Sequence, residues 1–335
     1  MPPSTYREVR LAARPGRDLR PEHFEIAEVP LRAPAAGEVL VRNLVLRIGA
    51  VTRTLMADAH GLPMASYEPG RPLRGSALGE VVAAPGTALR PGDQVRHDLG
   101  WQQYATLPAA NVRRIDPARW PDPAASLSQG FAGWLAVDRV ARIRCGDTVL
   151  VTGAAGGVGC VAAQFARLRG AGRLVGTTGS RWKADFLRRE LGFDAVLVRG
   201  EGPMEEQLRA AAPEGIDVLV DTVGGDQFQA ALALARRHAR LVVVGALSGQ
   251  AAGGTRSHVA LDTLALCSRG ITVSGLSATD HRASAERWEE EFSAGLRDGT
   301  LTFPHVRLSG IDQAPGALLD LLAGRHLGTV LVEPT

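Results

Sequence analysis

The sequence predicts an α/β protein in which a doubly wound parallel sheet of six strands is attached to a smaller β-barrel. Three observations carry this. From Thr148 onward, β-branched runs alternate with helical segments six times, the pattern of a parallel sheet covered on both faces. The first run leads straight into the glycine-rich turn Gly153-Ala-Ala-Gly156-Gly157-Val-Gly159 and then a helical period. The stretch before Pro121-Asp-Pro123 reads instead as short strands broken by turn residues, with few helical periods.

In chain order, the first part offers strands at Glu8–Ala12, Phe24–Val29, Glu38–Ile48, Leu78–Ala84, Gln94–His97 and Gln102–Leu107. Pro34-Ala-Ala-Gly37 and Arg90-Pro-Gly-Asp93 supply the turns between them. The second part offers Thr148–Thr152 with a helix over 157–169, Arg173–Thr178 with 182–191, and Ala195–Val198 with 204–212. Asp217–Thr222 follows with a helix over 226–235, Leu241–Gly245 with 257–268, and then Ile271–Ser274. From about residue 280 helix and strand mix again, ending in the apolar Gly328-Thr-Val-Leu-Val332. The simplest organisation is a barrel interrupted by a nucleotide domain: residues 1–124 and 279–335 around residues 125–278.

Composition excludes several classes. A chain of 335 residues that is 45% hydrophobic has enough apolar matter for two cores. Its net charge of +3 is scattered arginine with no basic block among aromatics, which argues against a nucleic-acid surface. Three widely spaced cysteines, Cys145, Cys160 and Cys267, suit a reducing cytoplasm rather than a disulfide framework. No apolar run is long enough for a membrane span, and the N-terminus has no signal-peptide core. Histidines and cysteines form no tight ligand set, so no metal is expected, and no Gly-x-Ser-x-Gly elbow supports a serine hydrolase.

The glycine turn has the chemistry of a dinucleotide site. Gly153, Gly156 and Gly159 permit a tight turn and close backbone approach, and the following helix N-terminus offers N–H groups to a pyrophosphate. The end of the next strand selects the dinucleotide. An NAD site places Asp or Glu there for the ribose hydroxyls. Here Thr177, Thr178, Gly179 and Ser180 occupy the place, followed by Arg181 and by Lys183, the only lysine of the chain. Hydroxyls with cations, Arg199 after the third strand included, suit a 2′-phosphate and hence NADPH. Tyr67 lies in the loop Pro63-Met-Ala-Ser-Tyr67-Glu-Pro-Gly70, where a phenol would be placed to hydrogen-bond a carbonyl or protonate an enolate.

Nearly end to end, these residues resemble the medium-chain dehydrogenase/reductase superfamily. Within it they are similar to the zinc-independent branch of prostaglandin/leukotriene reductases, alkenal double-bond reductases and bacterial curcumin-reductase-like proteins. The most specific pieces are Ser66-Tyr-Glu-Pro69, Arg74-Gly-Ser-Ala-Leu-Gly-Glu-Val-Val82 and Gly100-Trp-Gln-Gln-Tyr-Ala105. Gly179-Ser-x-x-Lys183, Leu191-Gly-Phe-Asp194, Asp221-Thr-Val-Gly-Gly225, Gly245-Ala-Leu-Ser248 and Leu322-x-Gly-Arg-His-Leu-Gly328 continue the likeness.

The resemblance implies a GroES-like barrel beside a Rossmann domain with NADPH between them. It implies a metal-free reduction of an α,β-unsaturated carbonyl: hydride to the β-carbon, a proton to the α-carbon. A quinone oxidoreductase of the same superfamily and a non-catalytic NADPH-binding protein are the alternative readings. It further implies a homodimer formed through the last Rossmann strand, Ile271–Ser277. To the cofactor residues above it adds Gly157, Val158, Thr222, Val223, Gly245, Ala246, Leu247, His326 and Gly328. Val51, Arg53, Trp101, Trp134 and Gln250 are the implied substrate-lining residues. The chain departs from the family pattern in several places. Ile48-Gly-Ala-Val51-Thr-Arg53 stands where relatives carry Val-Asp-Pro-Tyr-Met-Arg, so a substrate-facing tyrosine is replaced by Val51. Thr222 and His326 each stand where the family has asparagine, and Ser248-Gly-Gln250 lacks the tyrosine that often follows. These differences predict a larger or differently shaped acceptor than a simple alkenal.

Overall fold

The computed structural model describes residues 2–58, 61–253 and 256–335. Six parallel strands build the nucleotide-binding sheet: β1 (Thr148–Val151), β2 (Arg173–Thr178), β3 (Ala195–Val198), β4 (Ile216–Asp221), β5 (Ala235–Val243) and β6 (Thr272–Gly275). Their spatial order is β3-β2-β1-β4-β5-β6, the doubly wound arrangement of a Rossmann fold. The chain reverses direction of travel between β1 and β4, so a crevice opens above the carboxyl ends of those two strands.

Strands β1 to β4 are buried on both faces, and side-chain alternation explains why they read as unbroken apolar runs. Val149 and Val151 of β1 join one core with Trp134, Phe165, Trp288 and Phe292. Leu150 points the other way, into a second core with Leu208, Phe228 and Leu241. Helices α1 (Gly159–Leu168), α2 (Arg181–Glu190), α3 (Met204–Ala211) and α4 (Gly225–Ala233) alternate with the strands, followed by α5 (Leu247–Ala251) and α6 (Thr263–Arg269).

Three elements differ from expectation. The helix expected over 257–268 begins only at Thr263, because the Asp262 carboxylate accepts the Ala265 N–H at 3.0 Å and fixes the N-cap there. Strand β5 starts six residues before Leu241. It carries Arg236-Arg237-His238 through an irregularity in its pairing with β4, where His238 takes φ +62°. An unexpected helical turn over Gly130–Leu135 runs into a single π-helical turn, Ala136–Ala141, closed by Arg142 at φ +48°.

The remaining strands form a mixed sheet of seven and a two-stranded ribbon (Thr5–Leu11 with Phe24–Pro30). Glu38–Ile48 is the hub of the barrel, pairing antiparallel with Ala77–Ala83, Tyr104–Pro108 and Thr329–Glu333. The last of these partners is the C-terminal strand, so the chain leaves the barrel, builds the parallel sheet and returns. Helices α7 (Ala285–Asp298) and α8 (Gln313–Leu322) lie on the return path, with α7 ending at Gly299 in the left-handed region, φ +79°. Among the described residues, no helix is long and apolar enough to cross a membrane.

Candidate functional site

The crevice at the β1/β4 reversal holds a cavity of about 350 Å³, the size of a small-molecule site. Its floor is the glycine turn. Gly153 takes φ +57°, and Gly156 N–H closes the turn on Gly153 O at 2.9 Å. A Cβ on Gly159 would lie 2.6 Å from Gly153 O and 2.7 Å from Ala154 Cα, so only glycine lets α1 start this close to the strand. The turn is tied from both sides. Gly153 N–H donates to Thr177 Oγ1 at 3.0 Å, and the Thr177 hydroxyl donates to Gln227 Oε1. Gly328 N–H of the returning chain donates to Ala155 O at 2.7 Å, fastening the C-terminal segment to the turn.

Asp221, at the end of β4 and fully buried, organises the other wall. Its carboxylate accepts the Thr152 hydroxyl at 2.5 Å and the N–H groups of Val223 and Gly224 at 3.2 and 3.0 Å. Burial pushes its pKa up, against the lowering effect of those donors. The hydroxyls of Thr222 and Ser248 are turned inward, donating to Thr152 O at 2.8 Å and to Val223 O at 2.6 Å.

One end of the cavity is cationic. Lys183, in the first turn of α2, is buried, and its Nζ donates to Gly324 O at 2.6 Å and to His326 O. Both partners are neutral carbonyls, so the amine has no counter-ion among the described residues, and burial lowers its pKa. Arg199 lies beside it, Nη2 3.4 Å from where a Cβ on Gly179 would sit, and makes no ion pair among the described residues. Arg181 instead points to solvent and pairs with Glu201 at 2.5 Å. His326 also lines this end. Its pKa is lowered by burial, and its Nε2 has no partner. Among the described lining residues there is no Asp or Glu. Two cations, threonine hydroxyls and no carboxylate form a set that fits a doubly charged phosphate ester and disfavours a bare ribose diol.

The opposite end is lined by Ala50, Val51, Val244, Leu247 and Ala251, with the amide of Gln250 among them. Gln250 Nε2 donates to Thr54 Oγ1 at 3.1 Å, from α5 to the short helix Val51–Leu55 of the barrel. Gln129 sits between the two ends, its Oε1 2.9 Å from where a Cβ on Gly157 would be.

Among the residues singled out from the sequence, the structure brings Gly153, Gly156, Gly157, Val158, Gly159, Thr178, Gly179, Lys183, Arg199, Thr222, Val223, Gly245, Leu247, His326 and Gly328 to this cavity, with Val51 and Gln250. Others are placed away from it. Tyr67 is packed in the barrel core, its hydroxyl donating to Arg74 O at 2.6 Å, and burial raises its pKa. Its loop folds back onto the barrel because Tyr67 N–H donates to Leu55 O at 2.7 Å. Trp101 and Trp134 are fully buried core residues, the first stacked on Phe24 and the second packed against Trp288. Arg53 turns inward to the carbonyls of Gly16 and Arg17. Ser180 precedes α2 with a buried hydroxyl that has no partner among the described residues, and neither it nor Ala246 lines the cavity. Thr177, expected from the sequence, also lines the cavity, whereas Gln129 and Gln227 were not visible in sequence, because glutamine carries no motif and is recognised only when its partners are seen. No group of three or more His, Cys, Asp or Glu side chains among the described residues is arranged to hold a metal ion.

Fold and site define an oxidoreductase of the two-domain dehydrogenase type, and comparison with known proteins places it further. The family model described as "Zinc-binding dehydrogenase" matches residues 157–294, and that described as "N-terminal domain of oxidoreductase" matches residues 7–115. The chain belongs to the medium-chain dehydrogenase/reductase superfamily. It is 28% identical to the NADPH-dependent curcumin reductase of Escherichia coli, over 96% of this chain and 95% of that one. It is 27% identical to the NADP(+)-dependent 2-alkenal reductase of Nicotiana tabacum, over 91% and 90% respectively. Among solved structures, CurA of Vibrio vulnificus in complex with NADPH superposes with a TM-score of 0.91 at 25% identity, covering 98% of this chain and 99% of that one.

Proposed function

We propose that this protein is an NADPH-dependent reductase that saturates the C=C bond of an α,β-unsaturated carbonyl compound without a metal ion. The observation that carries the reading is the polarity of the cavity. It runs from two cations with no carboxylate, across a glycine turn at a helix N-terminus, to an aliphatic end that carries the Gln250 amide. The named activities of the curcumin and alkenal reductases, and the NADPH held by CurA, support the same reading.

When bound, the reduced dinucleotide supplies the hydride. The protein's own residues do the rest. The backbone N–H groups after Gly156 and the α1 N-terminus hold the pyrophosphate. Lys183 and Arg199 would hold the 2′-phosphate, and Val51, Val244 and Leu247 offer the acceptor an apolar wall. As hydride reaches the β-carbon, charge moves to the carbonyl oxygen. A neutral hydrogen-bond donor there lowers the barrier, and protonation of the α-carbon by water completes the addition. Tyr67 does not serve as the acid in this scheme, since its hydroxyl is engaged by Arg74 O inside the barrel.

We also propose a homodimer formed through β6. It is an edge strand whose Val273 is 37% exposed, and the neighbouring Leu264 is 76% exposed, an apolar edge suited to pairing with a second copy.

The test is NADPH consumption, followed by absorbance, against a panel of enones, enals and quinones, with product masses recorded. Saturated ketones or aldehydes, heavier than the acceptor by two hydrogens, are expected. Hydroquinones as the only products would replace this reading with the quinone oxidoreductase alternative.

A further inference from the structure

We infer that the side-chain amide of Gln250 binds the carbonyl oxygen of the substrate and that Thr54 positions it, an inference that rests on the reductase reading above. The topology says which end of the cavity is the reacting one. A dinucleotide spans the crevice with one half over β2 and β3 and the other over β4 and β5. The cations Lys183 and Arg199 belong to the first half, so the acceptor lies by the second, next to α5 and the Val51–Leu55 helix.

At that end the available donors can be counted off among the described residues. The Thr222 hydroxyl is spent on Thr152 O, and the Ser248 hydroxyl on Val223 O. Gln129 turns its Oε1 toward Gly157 and its Nε2 toward Gly49, but no hydrogen bond to a described residue fixes its amide. Gln250 is the donor at this end that the protein itself holds in place. An amide nitrogen has two N–H donors. One goes to Thr54 Oγ1 at 3.1 Å, while the second N–H has no protein partner. Thr54 is 7% exposed on a rigid turn of the barrel, so the bond holds the amide across the cleft with one donor to spare. This amide stands in the part of the chain where a tyrosine often follows in the family, and it differs from a phenol in one respect: it donates a hydrogen bond and never the proton itself. Gln250 is therefore an orienting and charge-stabilising donor, with no bond formed or broken on it.

The experiment uses purified full-length protein and the variants Gln250→Leu, Thr54→Val and Thr54→Ser. NADPH affinity is measured by fluorescence titration. Affinity of a saturated ketone, 4-phenyl-2-butanone, for the protein with NADP+ is measured by calorimetry. Steady-state constants are measured on the corresponding enone. Gln250→Leu is expected to leave NADPH affinity unchanged and weaken ketone binding by about tenfold, the worth of one hydrogen bond. It is expected to lower kcat by roughly 10²-fold, the size of a lost oxyanion donor. Thr54→Val is expected to lower kcat with little change in KM, and Thr54→Ser to restore it. Ketone binding and kcat unchanged in Gln250→Leu overturns the inference, as does loss of NADPH and ketone affinity together, which marks a merely structural role. Gln250-dependent ketone binding without enone turnover in the wild type supports the inference while refuting the reductase reading. A wild type that neither binds the ketone nor turns over the enone refutes both.

Discussion

Lys183 Nζ donates to the main-chain oxygen of Gly324 at 2.6 Å, joining the first turn of α2 to the loop after α8 over 141 residues of chain. With the Gly328 N–H bond to Ala155 O, this buried amine holds the nucleotide-binding sheet to the segment that carries the chain back to the barrel, and it does so with no ion-pair partner among the described residues. Lys183 is accordingly a clasp, and in the proposed function it is a phosphate ligand as well, whereas the neighbouring Arg199 is exposed and free of ion pairs among the described residues.

The two cations therefore separate under mutation. Lys183→Met is expected to lower both thermal stability and affinity for 2′,5′-ADP. Arg199→Leu is expected to weaken 2′,5′-ADP binding by about tenfold with melting temperature unchanged, since an exposed substitution costs little stability. Neither substitution should change binding of 5′-AMP much. Calorimetric titration of both nucleotides, with thermal melts, checks this.

Gly156 and Gly159 differ in what a methyl group would meet. At Gly156 the nearest atom is Gly153 O at 3.3 Å, while at Gly159 backbone lies within 2.6 Å. Gly156→Ala should fold normally and lose dinucleotide affinity, because its Cβ stands where the pyrophosphate approaches. Gly159→Ala should lose stability as well. Denaturant unfolding alongside cofactor titration distinguishes the two.

Asp221 answers three donors from inside the fold. Asp221→Ala strands them and is expected to cost about 3 kcal/mol, with Asp221→Asn milder because one oxygen remains. The pH dependence has a definite sign. Burial holds this carboxyl above its ordinary value, so its contribution to stability is full at low pH and falls as pH rises from about 4 through the raised value. Urea unfolding of wild type and Asp221→Asn across that range should show the wild type losing ground relative to the variant as pH rises.

Burial raises the Cys160 thiol to about 12, while Cys145 and Cys267 are exposed. A thiol-disulfide reagent at neutral pH should therefore titrate two thiols quickly and the third only after unfolding.

If β6 pairs with its counterpart in a second copy, Val273→Pro removes a donor from that edge and should convert a dimer to a species near 35.4 kDa by light scattering. A wild type already at that mass contradicts the proposed dimer.

The parallel sheet was legible because strands β1 to β4 are buried on two faces and each turn carries glycine, so local chemistry and tertiary role coincide. The cationic end of the cavity was legible for the same reason: Gly179, Lys183 and Arg199 lie within two consecutive βα units. The aliphatic end was reached only through the resemblance, which named Val51 and Gln250 along with Arg53, Trp101 and Trp134, residues that do not line it. It is made by Val51, from the barrel, and Gln250, nearly 200 residues later, whose meeting depends on how two sheets pack. Tyr67, Trp101 and Trp134 drew attention as large side chains in suggestive places, yet all three are buried away from the cavity, where aromatic area contributes most to stability. The start of α6 was missed because Asp262 outweighs the apolar pattern before it.

The most direct test of the account is the position of the label after turnover of an enone with NADPH deuterated at the transferring hydrogen. The account predicts deuterium on the β-carbon of a saturated carbonyl product, with a solvent-derived hydrogen on the α-carbon. Deuterium on the carbonyl carbon, giving an allylic alcohol, would contradict it.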